Sequence, residues 1–218
     1  MDFLISWWEF AASRVDQIQS GLAEHAIYVV TVLSIASIVA ISLGILTRRN
    51  PLARELSLAV TSVFLTIPSL ALFTIFIPFV GLGFAPSFIA LFLYSLLPIL
   101  RNTIAGLDGI DASVLEAAKG MGLTPGQVLA RVQLPLAWPV IIAGIRVSSM
   151  LIVGVAAIAT LVAGGGLGDF IKSGLARLPL ANSLESIWTG TVLCLLLALV
   201  IDIALQVARR ATISKGIR

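Results

Sequence analysis

Between residues 56 and 100 the chain runs for 45 positions without a single Asp, Glu, Lys or Arg. No soluble domain needs such a stretch, whereas a helix crosses hydrocarbon with about 20 apolar residues, so the run holds two crossings. Over all 218 residues, 59% are apolar and 11% charged, which puts the whole chain in the polytopic membrane class. The expected fold is all-α, because hydrocarbon satisfies no exposed peptide group. Five spans are predicted, at 26–47, 56–80, 84–100, 139–163 and 187–208. Pro68, Pro78 and Pro98 should bend the runs that hold them.

Basic residues set the orientation. Arg48, Arg49, Arg54, Arg101, Lys119, Arg131, Arg146, Arg209, Arg210, Lys215 and Arg218 fall on one side of this layout, and only Arg14, Lys172 and Arg177 on the other. The richer side should be cytoplasmic, which places the N-terminus outside and the C-terminus inside a cell membrane. The same residues sit in short loops and form no stripe, so the net charge of +3 is a topology signal and not a nucleic-acid surface.

Three regions are expected. In residues 1–24, Leu4, Trp8, Ala11, Val15, Ile18 and Leu22 recur at helical spacing, which predicts an amphipathic helix on the bilayer surface anchored by Trp7 and Trp8. Asp2, Glu9, Arg14 and Asp16 make this segment unlike a signal peptide, so it should stay in the mature protein. Residues 25–208 form the transmembrane domain and 209–218 a basic cytoplasmic tail. The longest cytoplasmic excursion is about 102–138, and an external one covers about 164–186.

The cytoplasmic loop carries the densest signals. Ser113 and Glu116 have the spacing of a capping box, and Thr124 and Gln127 repeat it with Pro125 at the first helical position. Gly120 and Gly122 supply a permissive backbone between the two short helices. The product is a compact polar knob.

This loop resembles the EAA motif of permease subunits of ATP-binding-cassette importers: Glu-Ala-Ala, three residues, Gly, nine residues, Ile-x-Leu-Pro. Glu116, Ala117, Ala118, Gly122, Leu134 and Pro135 fall on it, with Val132 in place of Ile. The resemblance implies a coupling helix that docks on an ATPase subunit. There Glu116 would make the polar contact, Ala117 and Ala118 would permit close packing, and Gly122 the turn. An ordinary loop capped by Glu116 is the plainer reading, and the two are compatible. The runs Thr66-Ile67-Pro68-Ser69-Leu70-Ala71-Leu72, Leu97-Pro98-Ile99-Leu100-Arg101-Asn102-Thr103 and Gly164-Gly165-Gly166-Leu167-Gly168-Asp169 are similar to those of osmoprotectant permeases. Such permeases import glycine betaine, choline or carnitine; amino-acid permeases, including those for methionine, share the plan. The resemblance further implies two ATPase subunits carrying ATP and Mg, a second permease copy or paralogue, an external solute-binding protein, and no cofactor on this chain.

Other residues invite weaker readings. Gly164, Gly165, Gly166, Gly168 and Asp169 lack the strand and Lys-Ser/Thr of a phosphate loop; a flexible external gate loop is expected. Asp202 is the only acid within a predicted span, and either pairs or lines a pathway, or snorkels. Arg146, just inside the fourth span, should snorkel or brace the cytoplasmic loop. Gly144, Ser148, Ser149, Gly154 and Ala157 favour close helix contact over a solute-lining role for Ser148. Phe64, Phe73, Phe76, Phe92 and Tyr94 could face a quaternary ammonium. One cysteine, Cys194, and one histidine, His25, leave no metal or catalytic constellation for an intramembrane enzyme. A secondary transporter would usually show more spans and an internal repeat.

Overall fold

The computed structural model describes residues 2–162 and 164–212. Ten α-helices cover most of them: α1 (Asp2–Ala12), α2 (Val15–Thr47), α3 (Pro51–Thr66), α4 (Ser69–Val80), α5 (Phe84–Asp108), α6 (Ala112–Gly120), α7 (Pro125–Val128), α8 (Leu134–Ala159), α9 (Gly168–Ala176) and α10 (Ser183–Thr212). A π-helical turn, Leu129–Gln133, joins α7 to α8, and a 3-10 turn, Thr160–Val162, closes α8. Lys215 and Arg218 of the expected tail lie outside the described residues, while Arg209 and Arg210 form the last turn of α10.

Four of these segments are long and apolar enough to cross a membrane alone, and α3 with α4 makes a pair bent by 101°. The bend lies at Ile67, whose extended backbone (φ −76°, ψ 130°) follows from the clash between the Pro68 ring and an α-helical predecessor. The hydroxyl of Tyr94 on α5 donates to the carbonyl of Ile67, satisfying a group that the break would otherwise orphan. Contacts at its two ends show that the pair crosses. Arg54 near the start of α3 meets Asp108 at the end of α5, whereas the amide of Gly83, before α5, donates to the Val162 carbonyl at the far end of α8. The bent pair is therefore one broken crossing, and the total is five. Pro78 and Pro98 lie inside α4 and α5, which continue through them.

The helices outrun the predicted spans: α2 begins at Val15 and not 26, α5 continues to Asp108, and α8 begins at Leu134 and not 139. Hydropathy marks the hydrocarbon and not the helix ends, which project into polar surroundings. Residues 15–24 accordingly belong to α2, and α1 alone precedes it, packed on α10. It is fixed to α10 by Trp7 Nε1 donating to Thr189 Oγ1 (2.9 Å) and by Ser6 Oγ donating to Glu185 Oε1 (2.9 Å), with Trp8 exposed.

α5 is the central helix, packed on α2, α3, α4 and α8. Val29, Val32 and Ala36 of α2, Leu91, Ile99 and Leu100 of α5, and Ile141 and Ile152 of α8 form the fully buried core. The approach of α8 to α5 depends on Gly144, where a Cβ would stand 2.7 Å from the Pro98 carbonyl. Ser148 adds a buried hydrogen bond to the Ser95 carbonyl (2.8 Å). By contrast Leu195, Leu199, Val200, Ile203 and Val207 leave an apolar face of α10 exposed, as suits a helix against lipid.

Candidate functional site

The knob begins at Asp111. Its carboxylate accepts the Ser113 amide (2.8 Å) and caps α6, and the hydrogen bonds from Ser113 hold the carboxyl below its ordinary value. The predicted Ser113/Glu116 box is therefore not used: α6 starts two residues earlier, and Asp, as good a cap as Ser, takes the position. Glu116 is freed of local duty and stands exposed.

At the other end of α6 the amide of Leu123 donates to the Ala118 carbonyl (3.3 Å) and that of Gly122 to the Lys119 carbonyl (2.9 Å). This pair of bonds is a Schellman motif, and it requires the φ of +81° that Gly122 adopts. Gly120 keeps helical geometry as the last residue of α6, so only one of the two expected glycines makes the turn. Next, Thr124 and Gln127 form the predicted capping box, Thr124 N donating to Gln127 Oε1 (2.8 Å) and Gln127 N to Thr124 Oγ1 (3.4 Å), with Pro125 at N1.

The end of the motif has a different task. Val132, Gln133, Leu134 and Pro135 lie where the π turn becomes α8, and the Leu134 amide reaches back to Leu129. Pro135 has no amide for an i−4 bond and its ring would clash there; the wider π turn accommodates it. Gln133 is buried and accepts Nη2 of Arg48 at 2.7 Å, tying the knob to the end of α2. Sequence reading missed Gln133, Arg48 and the 2.6 Å Arg54–Asp108 pair, because nothing local marks their partners.

The α6 surface is divided. Ala118 is buried against its own chain, while Glu116 and Ala117 face outward. A small residue beside an exposed carboxylate is chemically suited to close docking by a partner.

At the opposite face the glycine loop packs against α2 and α8. Gly165 and Gly166 have φ of +74° and +85°, and the Gly166 amide donates to Glu24 Oε2 on α2 (3.1 Å). A Cβ on Gly165 would stand 2.4 Å from Glu24 Oε1, and one on Gly168 would stand 2.0 Å from the Ala157 carbonyl. His25, buried beside Gly166, places Nε2 3.2 Å from the Val153 carbonyl. Partial burial pushes the Asp169 carboxyl above its ordinary value, with Lys172 opposing and Glu24 reinforcing the shift.

The pathway candidates do not converge. Tyr94 serves the broken crossing and Ser148 the α5–α8 contact. Phe92 stacks on Phe88 (6.5 Å, 7°), which meets Phe84 at 5.6 Å. Asp202 is buried between helices: Arg146 Nε donates to Oδ1 at 2.6 Å and Nη2 to Oδ2 at 3.0 Å, and Gln206 Nε2 reaches Oδ2 at 2.6 Å. Neither charge of this bidentate pair snorkels. Arg146 lies in the middle of α8, whose first turn precedes the apolar run.

Residues 26–213 match the family described as "Binding-protein-dependent transport system inner membrane component". The choline transport system permease protein OpuBB of Bacillus subtilis is 40% identical over 195 residues, covering 89% of this chain and 88% of the relative. The osmoprotectant import permease protein OsmW of Salmonella typhimurium is 36% identical over 200 residues, covering 89% and 91%. Among solved structures, an inward-facing form of the MetNI methionine ABC transporter aligns with a TM-score of 0.77 at 24% identity, over 90% of this chain and 96% of that one. That likeness concerns the fold.

Proposed function

This chain belongs to the family of binding-protein-dependent transport system inner membrane components, and from that premise we propose that it is the permease of an ATP-driven importer of quaternary amines such as choline, glycine betaine or carnitine. The observation that carries the solute class is the 36–40% identity, over 89% of the chain, to permeases named for choline and for osmoprotectants. The likeness to a methionine transporter lies in the backbone and does not favour a primary amine.

In this reading the knob faces the cytoplasm, which the eleven-to-three division of basic residues supports. Glu116 and Ala117 meet an ATPase subunit, and Gly122 and the Thr124 cap hold them at a fixed angle. The rest of the EAA motif, through Leu134 and Pro135, connects the knob to α8, so movement of α6 is transmitted to a helix of the core. The chain has no Gly-x-x-x-x-Gly-Lys-Ser/Thr sequence, so ATP and Mg belong to two separate ATPase subunits. Five crossings are few to enclose a pathway, which calls for a second permease copy or paralogue, and solute arrives from an external binding protein. The loop of Gly164, Gly165, Gly166, Gly168 and Asp169 lies where that protein would dock. Phe92 remains the pathway candidate without another evident task.

The test is ATP hydrolysis by the complex assembled in vesicles with its binding protein. Choline, glycine betaine or carnitine should raise the rate and methionine should not; stimulation by methionine alone would reject the solute class and leave the importer reading standing.

A further inference from the structure

Beneath α6 lies a cleft of about 740 Å³, walled by the end of α2, the end of α5, α6 itself and the start of the α7–π turn segment. Arg48, Arg49 and Lys119 line it together with Leu107 and Leu115. The one acid on its walls, Asp108, is engaged by Arg54 at 2.6 Å. Neither Arg49 nor Lys119 has an ion-pair partner among the described residues. Arg48 donates Nη2 to the neutral amide oxygen of Gln133 and leaves Nε buried without a partner. Burial, then the neighbouring Arg49, push the Arg48 pKa down against an opposing pull from Asp108, a carboxylate already engaged by Arg54.

Depth identifies the missing anion. The apolar run 26–47 ends immediately before Arg48, and at about 1.5 Å per residue it matches the roughly 30 Å thickness of hydrocarbon. The guanidinium therefore stands at headgroup level. Basic residues fix a phosphate there, while Leu107 and Leu115 suit the glycerol and the first acyl carbons; a free phosphate would have no use for those apolar walls. Basic pockets between membrane helices are a known means of holding anionic headgroups. We propose that this cleft binds the phosphate headgroup of an anionic phospholipid, bridging α2, α5 and α6 from beneath the knob.

Native mass spectrometry of the delipidated full-length chain, titrated with phosphatidylglycerol or phosphatidylcholine, tests the site without solute, ATP or partner subunits. The wild-type chain should retain one phosphatidylglycerol in preference to phosphatidylcholine. At about fivefold per basic contact, Lys119→Gln should weaken retention about fivefold and the Arg48→Gln/Lys119→Gln pair about thirtyfold, whereas Arg209→Gln, outside the cleft, should leave it unchanged. Because Arg48 also holds Gln133, the pair alone does not separate lost binding from misfolding; the Lys119 side chain has no partner among the described residues, and Arg48→Lys/Lys119→Arg should restore binding. Equal retention of the two lipids by the wild type, or no loss in Lys119→Gln, would overturn the proposal. So would displacement by inorganic phosphate at equal concentration, which would make the site one for free phosphate. Loss of the lipid on assembly with the ATPase subunits would likewise overturn it in favour of an acidic side chain of that partner.

Discussion

The turn after α6 and the loop before α9 are both built on glycines at positive φ, yet they are held in different ways. Gly122 has nothing within 4 Å of where a Cβ would be; its requirement is conformational alone, and the surrounding bonds are local caps. Gly168 is enclosed by the Ala157 carbonyl, so its requirement is space; Gly165, at φ +74° beside the movable Glu24 carboxylate, needs the left-handed backbone as well. A knob that must offer an outward face to a partner is organised from within. A loop sealed against α2 and α8 is organised by its surroundings.

The most severe way to probe this difference is Gly168→Val. Its Cβ would stand 2.0 Å from a backbone carbonyl that cannot swing aside, and the cost should reach the upper end of the overpacking range, about 3 kcal/mol. Poor recovery of monodisperse protein by size exclusion is expected; normal recovery with an unchanged melting temperature would show that the loop is not sealed.

A sharper contrast comes from asparagine, which tolerates the left-handed region better than other side chains. Gly122→Asn should preserve uptake, whereas Gly168→Asn should impair folding, because the Ala157 backbone carbonyl cannot move aside. Gly122→Val, with a left-handed penalty of about 1–2 kcal/mol, should leave abundance normal and reduce solute uptake severalfold. Normal uptake by Gly122→Val would remove the turn from the coupling machinery.

A smaller effect is expected from Glu24→Ala, which deletes the acceptor of the Gly166 amide. A half-exposed bond of this kind contributes about 1 kcal/mol, and Glu24→Gln should recover most of it. Thermal unfolding of the two variants would reveal whether the clamp is this hydrogen bond or only the packing around it.

The smallest effect is in pH, and the two faces have opposite signs. Asp111, held below the ordinary 3.8 by Ser113, stabilises the knob above that value, a contribution lost as pH falls through its lower folded pKa. Asp169, raised from 3.8 by burial, contributes stability below that value and loses it as pH rises through its higher folded pKa. Carboxyl-carbon NMR titration should bracket 3.8 with the two groups; shifts in the same direction would erase the distinction.

The same division governs what was legible in the sequence. The five crossings follow from apolar length, and the Thr124–Gln127 box and the Gly122 turn from residue type at short spacing. The EAA residues could be marked, but not that Ala118 would turn inward or that Pro135 would sit beside a π turn. Ser113 is not the cap because the helix starts two residues earlier, where Asp111 accepts the Ser113 amide itself. Glu24 with Gly166, Arg48 with Gln133 and Arg146 with Asp202 were out of reach, since each joins residues separated by 56 or more positions. No periodicity links such pairs; only the packing of α2, α8 and α10 does.

The Arg146–Asp202 pair has a consequence for biosynthesis. Each charge entering the bilayer alone costs about 2.5–3.5 kcal/mol on insertion scales, and the partners are 56 residues apart. At a synthesis rate of about 5–20 residues per second, Arg146 waits roughly 3–11 s for Asp202 to emerge. During that interval α8 carries an unneutralised charge at its centre, and arrival of α10 completes its insertion. A nascent chain stopped before α10 should therefore hold α8 less firmly in the bilayer, and Arg146→Leu should restore that hold without the last helix.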